Sequence, residues 1–327
     1  MEDITIVNMR NQITVSQLTT GMRCEGFLMV RTAEQRTGKT GSKYLDMNLA
    51  DRTGEINCKK WDGTIAPPKA GRVVKIRGLV EEFNGRLQLR VEQIRDPKPE
   101  DGVDMRELIP CAPEKPDVMR KRIEDTIDGF ASENLKKLVR EMLRQAGEQL
   151  DYFPAAQRMH HAEQGGLLHH TTSMLNTAEH ICEAYPFLRH DLLCAGVIIH
   201  DLSKIDEMQS DELGNVKDYS RDGLLIGHLV RGVARLDEAA KAVGVSGELV
   251  ELLEHMIISH HGIPEYGSPR FPMFPEAEAL HWIDTLDARM NEMQGIQDRT
   301  PEGAFSERIS GLDNRRMYHP FYTDEAE

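Results

Sequence analysis

The chain has 327 residues, with 40 Lys+Arg against 54 Asp+Glu, 13 His and a net charge of −14. That length predicts two domains rather than one core, and the charge is divided: residues 1–95 carry 16 Lys+Arg against 11 Asp+Glu, net +5, leaving −19 for the remainder. A mildly basic first part suits nucleic-acid contact, while the acidic second part excludes a broad polyanion-binding face and leaves room for a local cationic or metal-lined pocket.

The five cysteines (Cys24, Cys58, Cys111, Cys182, Cys194) are scattered and form no C-x-x-C. This excludes a zinc ribbon or a disulfide framework and suits a reducing cytoplasm. No apolar run approaches membrane-spanning length, and the opening residues, with Glu2 and Asp3, hold no apolar signal region. The expectation is a cytoplasmic protein with no membrane partner.

From Arg23 to Arg95 the apolar pattern has period two. Gly26, Leu28 and Val30 alternate with Phe27, Met29 and Arg31; Leu45, Met47 and Leu49 alternate with Tyr44, Asp46 and Asn48. After the turn Asp51-Arg52-Thr53-Gly54, Ile56 and Cys58 alternate with Asn57, Lys59 and Trp61. Val73–Val80 follows a break at Pro67-Pro68, and Phe83-Asn84-Gly85-Arg86 reads as a hairpin turn into Leu87–Val91. Five short strands in about 80 residues predict an OB-fold barrel over residues 1–97. If the first set of each pair fills the interior, Phe27, Tyr44 and Trp61 share the outer face with Arg31 and Lys59. Aromatics for stacking and cations for phosphate are how such barrels hold single strands. The basic stretch Arg36–Lys43 lacks the G-x-x-x-x-G-K-[ST] spacing and is expected to be a loop between strands.

Asp96-Pro97-Lys98-Pro99 marks a domain boundary, and residues 98–160 are expected to form a helical connector packing on the domain that follows. One amphipathic helix carries Met119, Ile123, Ile127 and Phe130. A second, capped by Ser132 or Asn134, carries Leu135, Leu138, Val139, Met142 and Leu143.

Twelve of the thirteen histidines lie between residues 160 and 281. A helix opening at Gly165-Gly166 carries His169 and His170, with His170 on the apolar side and His169 toward solvent. Leu192–Ile199 is a buried helix running straight into His200-Asp201, with Lys204 one turn on. A buried carboxylate needs a partner, and imidazole beside carboxylate is a natural ligand pair for a divalent metal. Gly227-His228 opens a further helix running through Val230, Val233 and Leu236. Leu252–Ser259 leads into His260-His261, and a helix begun at Pro275 carries Asp284 and Asp287. Seven ligand-type side chains on successive helices suffice for two metals with one shared carboxylate.

Gly165-Gly166-Leu167-Leu168-His169-His170, His200-Asp201, Ser259-His260-His261-Gly262, Glu265-Tyr266-Gly267-Ser268-Pro269 and Ile283-Asp284-Thr285-Leu286-Asp287 resemble the HD superfamily of metal-dependent phosphohydrolases, and within it the YhaM-type 3′–5′ exoribonucleases. The resemblance covers nearly the whole chain, since those proteins also place an OB-fold ahead of the HD domain. It implies a multidomain fold, a small all-β OB-fold barrel followed by an all-α HD domain over residues 161–310, with 311–327 as a tail. It assigns His170, His200, Asp201 and Asp284 to one metal and His228, His260 and His261 to a second, with Asp201 as the bridge. The sequence departs from the family at His169, where an acidic residue is expected; that side chain is not a ligand.

The activity this implies is hydrolysis of single-stranded RNA, or DNA as well, from the 3′ end to nucleoside monophosphates. The alternatives are an HD phosphodiesterase or nucleotidase acting on a cyclic dinucleotide, and a non-catalytic OB-fold RNA-binding protein. Two divalent cations acidify an attacking water and neutralise phosphate charge. Mn²⁺ is favoured because a His-rich set is softer than Mg²⁺ prefers, with Fe²⁺, Co²⁺, Mg²⁺ and Zn²⁺ as other occupants. Lys204 is expected on the phosphate oxygens, His160 or His161 on the leaving oxygen or behind the ligands, and Asp287 on a ligand imidazole. A homo-oligomer is compatible with the sequence.

Overall fold

The computed structural model describes residues 14–38, 41–157 and 159–322, so Lys39 and Thr40 of the basic loop and the last five tail residues lie outside the described residues. The chain divides into two compact units, Met1–Cys111 and Ala112–Glu327.

In the first unit, β1 (Arg23–Thr37), β2 (Lys43–Asp51), β3 (Gly54–Lys60), β4 (Val73–Phe83) and β5 (Arg86–Arg95) form a closed barrel in the order β1-β2-β3-β5-β4. The period-two pattern places its residues as expected: Leu28, Leu45, Met47, Ile56, Val80 and Leu89 fill the interior. Closure comes from parallel pairing of β3 with β5, Asn57 opposite Gln88 and Lys59 opposite Arg90. β4 turns into β5 through Asn84-Gly85, both at positive φ (53° and 75°), as a two-residue hairpin between right-twisted strands demands. The β4–β5 register shifts at Gly78, where an added Cβ would lie 2.5 Å from the Arg90 carbonyl oxygen. The buried Asp51 carboxylate closes the β2–β3 turn, accepting hydrogen bonds from the Thr53 and Gly54 amides at 2.7 and 3.2 Å, and from the Val15 amide at 2.6 Å.

The alternation fails on β1. Phe27, Leu28, Met29 and Val30 are all buried, so this strand is covered on both faces, which is what an unbroken apolar run signifies. Residues 98–111 cluster with the barrel, and the compact units divide between residues 111 and 112. Arg95 donates to both Asp101 oxygens at 2.7 and 2.9 Å, and the Arg52 amide donates to the Glu107 carbonyl.

The second unit holds α1 (Pro116–Gly129), α2 (Glu133–Ala146), α3 (Gly166–Ala184), α4 (His190–Ile199), the single turn α5 (Lys204–Glu207), α6 (Arg221–Leu225), α7 (His228–Val243), α8 (Glu248–Ser259) and α9 (Pro275–Gln297). The connector helices belong to the same core: Met119, Ile127 and Leu138 join Leu193 of α4, Leu253 of α8 and Leu280 of α9. Ser132 caps α2 by accepting from the Leu135 amide. Val230 of α7 is exposed, and Leu229, Gly232 and Leu236 form the buried stripe instead. The unit is helical but not purely so. Two short hairpins absent from the sequence reading occur, β6 (Met208–Ser210) with β7 (Val216–Tyr219) and β8 (Phe305–Ile309) with β9 (Arg315–Tyr318), the second taking in part of the tail.

Candidate metal centre and nucleic-acid face

α4 is buried from Leu192 to Ile199 and delivers His200 and Asp201 into the centre of the helical unit. Around them converge His170 from α3, Lys204 from α5, His228 at the start of α7, His260 just past α8 and Asp284 of α9. The Asp201 carboxylate faces two ways. Its Oδ2 lies 3.3 Å from His200 Nε2 and 3.8 Å from His170 Nε2, whereas Oδ1 lies 3.5 Å from His228 Nε2 and 3.6 Å from His260 Nε2. His170 Nε2 also stands 3.2 Å from Asp284 Oδ1. The ligand atoms of His170, His200 and Asp201 lie within 4.8 Å of one another, as do those of His228, His260 and His261.

Every imidazole in the set is aimed by its other nitrogen. Nδ1 of His170 donates to Asp287 at 2.7 Å and that of His228 to Glu207 at 2.9 Å. Nδ1 of His200, His260 and His261 donates at 2.8 Å to the carbonyls of Val197, Ile257 and Tyr266 respectively. An imidazole that donates from Nδ1 presents an Nε2 lone pair, so all five point a basic nitrogen at the same space. Yet Nε2 of His170, His200, His228 and His260 and Oδ1 of Asp201 are buried with no hydrogen-bond partner. Leaving such atoms unsatisfied costs about 1–3 kcal/mol each. Convergent orphaned donors of this chemistry fit divalent cations, and the residues present suit that group.

The electrostatics agree. Burial alone would push the Asp201 carboxyl up, but Lys204, then His200 and His228, outweigh it and hold it well below the usual range. Lys204 Nζ stands 2.6 Å from Asp201 Oδ2; burial opposes its charge and Asp201 restores it, raising the ammonium above its ordinary value. Asp284 is held down by His170 against burial. His260 is pushed well below the ordinary imidazole range, chiefly by burial and then by its histidine neighbours, and a neutral ring is what a metal ligand must be.

Some of the expected roles shift. His161 is buried; its Nε2 donates to Asp287 Oδ2 at 2.7 Å and its Nδ1 faces His169 at 3.1 Å. With both nitrogens engaged behind the ligands it has no free nitrogen for a leaving oxygen, and the expectation of a catalytic His161 is corrected to a positioning role. His160 keeps a buried, unpartnered Nε2 with its ring 5.3 Å from that of His170, and burial together with Lys204 and His170 pushes it down to about 3. His169 is half-buried on Glu163 at 2.7 Å.

Three supports escaped the sequence reading. Glu207 holds His228 through ring and amide; the only signal was a carboxylate one turn beyond Lys204. His281 donates Nδ1 to the His260 carbonyl at 2.9 Å, and its ring occupies the space above Gly262, whose φ is +83° and whose added Cβ would lie 2.3 Å from it. Gly262 therefore permits the turn that ends the His260-His261 pair. Ser268 accepts from the His261 amide at 3.1 Å.

On the barrel, Tyr44 and Trp61 lie together, ring centroids 4.7 Å apart, and Trp61 is 58% exposed. Lys59 Nζ sits 5.7 Å from the Tyr44 ring and 5.4 Å from that of Phe83, also 58% exposed. Phe83 was read only as a turn residue, yet it completes an aromatic cluster around one ammonium. Phe27 is not part of this face: it is 7% exposed, with Lys75 Nζ 5.5 Å from its ring centroid, and the expectation that it stacks bases is corrected. Arg31 is paired with Glu55 at 3.6 Å, and among the described residues Lys59 is a cation held over the aromatic rings. The adjoining groove of about 1040 Å³ is lined by Asn48, Asn57, Phe83, Arg86 and Gln88 among others.

Comparison with known proteins follows these two units. The family described as OB-fold nucleic acid binding domain matches residues 25–97 and the HD domain family matches residues 167–289, while a family described as putative helicase matches residues 111–191. The chain is 34% identical over 308 residues to the 3′–5′ exoribonuclease YhaM of Geobacillus sp. (strain WCH70), covering 93% of this chain and 94% of that one. It is 37% identical over 305 residues to the 3′–5′ exoribonuclease YhaM of Listeria innocua serovar 6a, covering 92% and 96%. Among solved structures, the second OB-fold domain of replication protein A from Methanococcus maripaludis aligns over 29% of this chain and all of its own, at 21% identity and a TM-score of 0.23.

Proposed function

We propose, from the premise that the chain belongs to the YhaM family of 3′–5′ exoribonucleases, that it hydrolyses single-stranded RNA from the 3′ end to nucleoside monophosphates, with DNA as a secondary substrate. The enzyme is a metal-dependent phosphodiesterase with an HD domain and an OB-fold nucleic-acid-binding domain. The single observation that carries the reading is the division of Asp201, one oxygen toward His170 and His200 and the other toward His228 and His260. That division supports two cations per chain sharing this carboxylate, Asp284 completing the first set and His261 the second. Mn²⁺ is our first choice for a set so rich in imidazole.

When bound, the cations supply Lewis-acid neutralisation of phosphate charge and lower the pKa of an attacking water. The protein's own part is orientation and charge. The Nδ1 donations to Asp287, Glu207 and three carbonyls fix each imidazole tautomer before substrate arrives. Lys204 holds a positive charge beside Asp201, and in our reading it steadies a non-bridging phosphate oxygen. His160, whose Nε2 has no partner, in our reading accepts a hydrogen bond from the terminal ribose. Tyr44, Trp61, Phe83 and Lys59 hold the single strand by stacking and charge. The described residues include no helix long and apolar enough to cross a membrane, and with five free cysteines a cytoplasmic enzyme is our reading.

The test is the product ladder from a labelled RNA with a 3′ overhang in Mn²⁺. Stepwise shortening from the 3′ end, with mononucleotide release, is expected for the native chain and not for folded Asp201→Ala. Cleavage of a cyclic dinucleotide with the RNA left intact would refute the reading.

A further inference from the structure

A second group of metal-ligating side chains lies at the far end of α4. His190 opens that helix and Cys194 follows one turn later on the same face, so the two form an i, i+4 chelating pair. Glu179 reaches them from the last turns of α3. His190 Nε2 lies 2.9 Å from Glu179 Oε2 and 3.6 Å from Cys194 Sγ, and one ligand atom from each residue falls within 4.8 Å of the others. A tetrahedral cation with bonds of about 2.0–2.3 Å to nitrogen and sulfur sets those two atoms roughly 3.5 Å apart, the separation found. The other nitrogen, Nδ1, stands 3.3 Å from Asp191 Oδ1, while Asp191 Oδ2 is itself fixed by the Ala131 amide. This reproduces the carboxylate–histidine arrangement that orients metal-bound imidazoles. Cys194 is fully buried, whereas the Glu179 and His190 side chains are about half exposed, so the group is open to solvent along one side.

We propose that Glu179, His190 and Cys194 form a mononuclear site for a zinc-class cation, separate from the catalytic centre. The six to ten residues of helix between its ligands and His200, at 1.5 Å each, put it about 9–15 Å from His200-Asp201. Thiolate, imidazole and carboxylate together select a borderline-soft cation such as Zn²⁺ over Mg²⁺ or Ca²⁺. Burial and then Glu179 raise the Cys194 thiol above its ordinary value, and water supplies the fourth position. Binding is a ligand exchange without redox change: the Cys194 S–H proton leaves to solvent as the metal–sulfur bond forms, so affinity rises with pH. The bound cation would clamp α3, which carries His170, to α4, which delivers His200 and Asp201.

The catalytic centre contains no sulfur ligand, so Co²⁺ distinguishes the two sites. Metal-free full-length protein titrated with Co²⁺ at pH 8 is expected to develop a near-ultraviolet thiolate-to-cobalt charge-transfer band. The band should vanish in Cys194→Ser and weaken at least several-fold in His190→Ala and Glu179→Gln. Elemental analysis of zinc-loaded protein should show one fewer ion per chain in Cys194→Ser. The two rim variants remove exposed groups, so they keep the test decisive if Cys194→Ser fails to fold. Absence of the band in the native chain, or a band undiminished in all three variants, would overturn the proposal and leave Glu179–His190 as an ion pair between helices.

Discussion

Glu207→Gln tests the two-sided centre without touching a ligand. Glu207 Oε1 accepts from His228 Nδ1 at 2.9 Å and from the His228 amide at 3.2 Å, and His228 serves only the Asp201 Oδ1 side. A hydrogen bond to a charged acceptor contributes about 1.5–3 kcal/mol and one to a neutral acceptor about 0.5–1.5. Replacing carboxylate by amide therefore costs His228 roughly 1–1.5 kcal/mol of orientation and basicity, about a tenfold loss of affinity. The His170 and His200 side keeps its own supports, Asp287 and the Val197 carbonyl. Calorimetric or electron-paramagnetic titration of metal-free protein with Mn²⁺ should resolve two ions in the native chain. In the variant one should be weakened about tenfold and the other unchanged. Equal weakening of both ions, or of neither, in a protein that melts normally would refute the assignment of His228 to a single ion.

Other expectations follow from the same geometry. Asp201→Asn should remove both ions and reduce RNA hydrolysis to background, whereas His228→Ala should retain one ion; metal content and turnover on the same samples check this. Burial pushes the His170 imidazole down, but the Asp284 and Asp287 carboxylates outweigh it and raise it to about 9. A metal competes with a second proton for the Nε2 lone pair, so loading below about pH 9 should release protons. Apparent metal affinity should climb from pH 6.5 and level off near 9, and a flat profile would contradict it. Phe83→Ala should weaken binding of a single-stranded RNA oligomer by about 1–3 kcal/mol, the contribution of one stacked base, and spare turnover of a dinucleotide; equal loss on both argues against a strand-holding role. Gly262→Ala combines an unfavourable φ with a clash against His281, and should lower urea stability by about 2–4 kcal/mol; an unchanged midpoint would show that the turn adapts.

The barrel was legible because period-two patterning is a direct imprint of a two-faced strand, and the convergence of histidines on a candidate site because they recur on helices at recognisable spacings. What sequence concealed was the environment of individual side chains. Phe27 and Trp61 occupy equivalent places in the alternation, yet one is buried and the other open, a distinction made by what covers each strand. His160 and His161 are neighbours in sequence, but His161 has positive φ (49°). That turn sends its ring onto Asp287 and leaves the His160 nitrogen unpartnered. Glu207 and His281 bond to His228 and His260, each 21 residues away, and no local pattern announces such pairings.

The orphaned atoms around Asp201 tie the persistence of the protein to metal supply. Five buried polar atoms without partners make the metal-free fold carry an unfavourable load that cations remove, so cation binding contributes to folding as well as to chemistry. A cell short of metal would therefore hold not an idle reserve of this enzyme but a more readily unfolded form, open to proteolysis. Its abundance would then fall along with its activity, coupling RNA turnover to metal supply without a dedicated sensor.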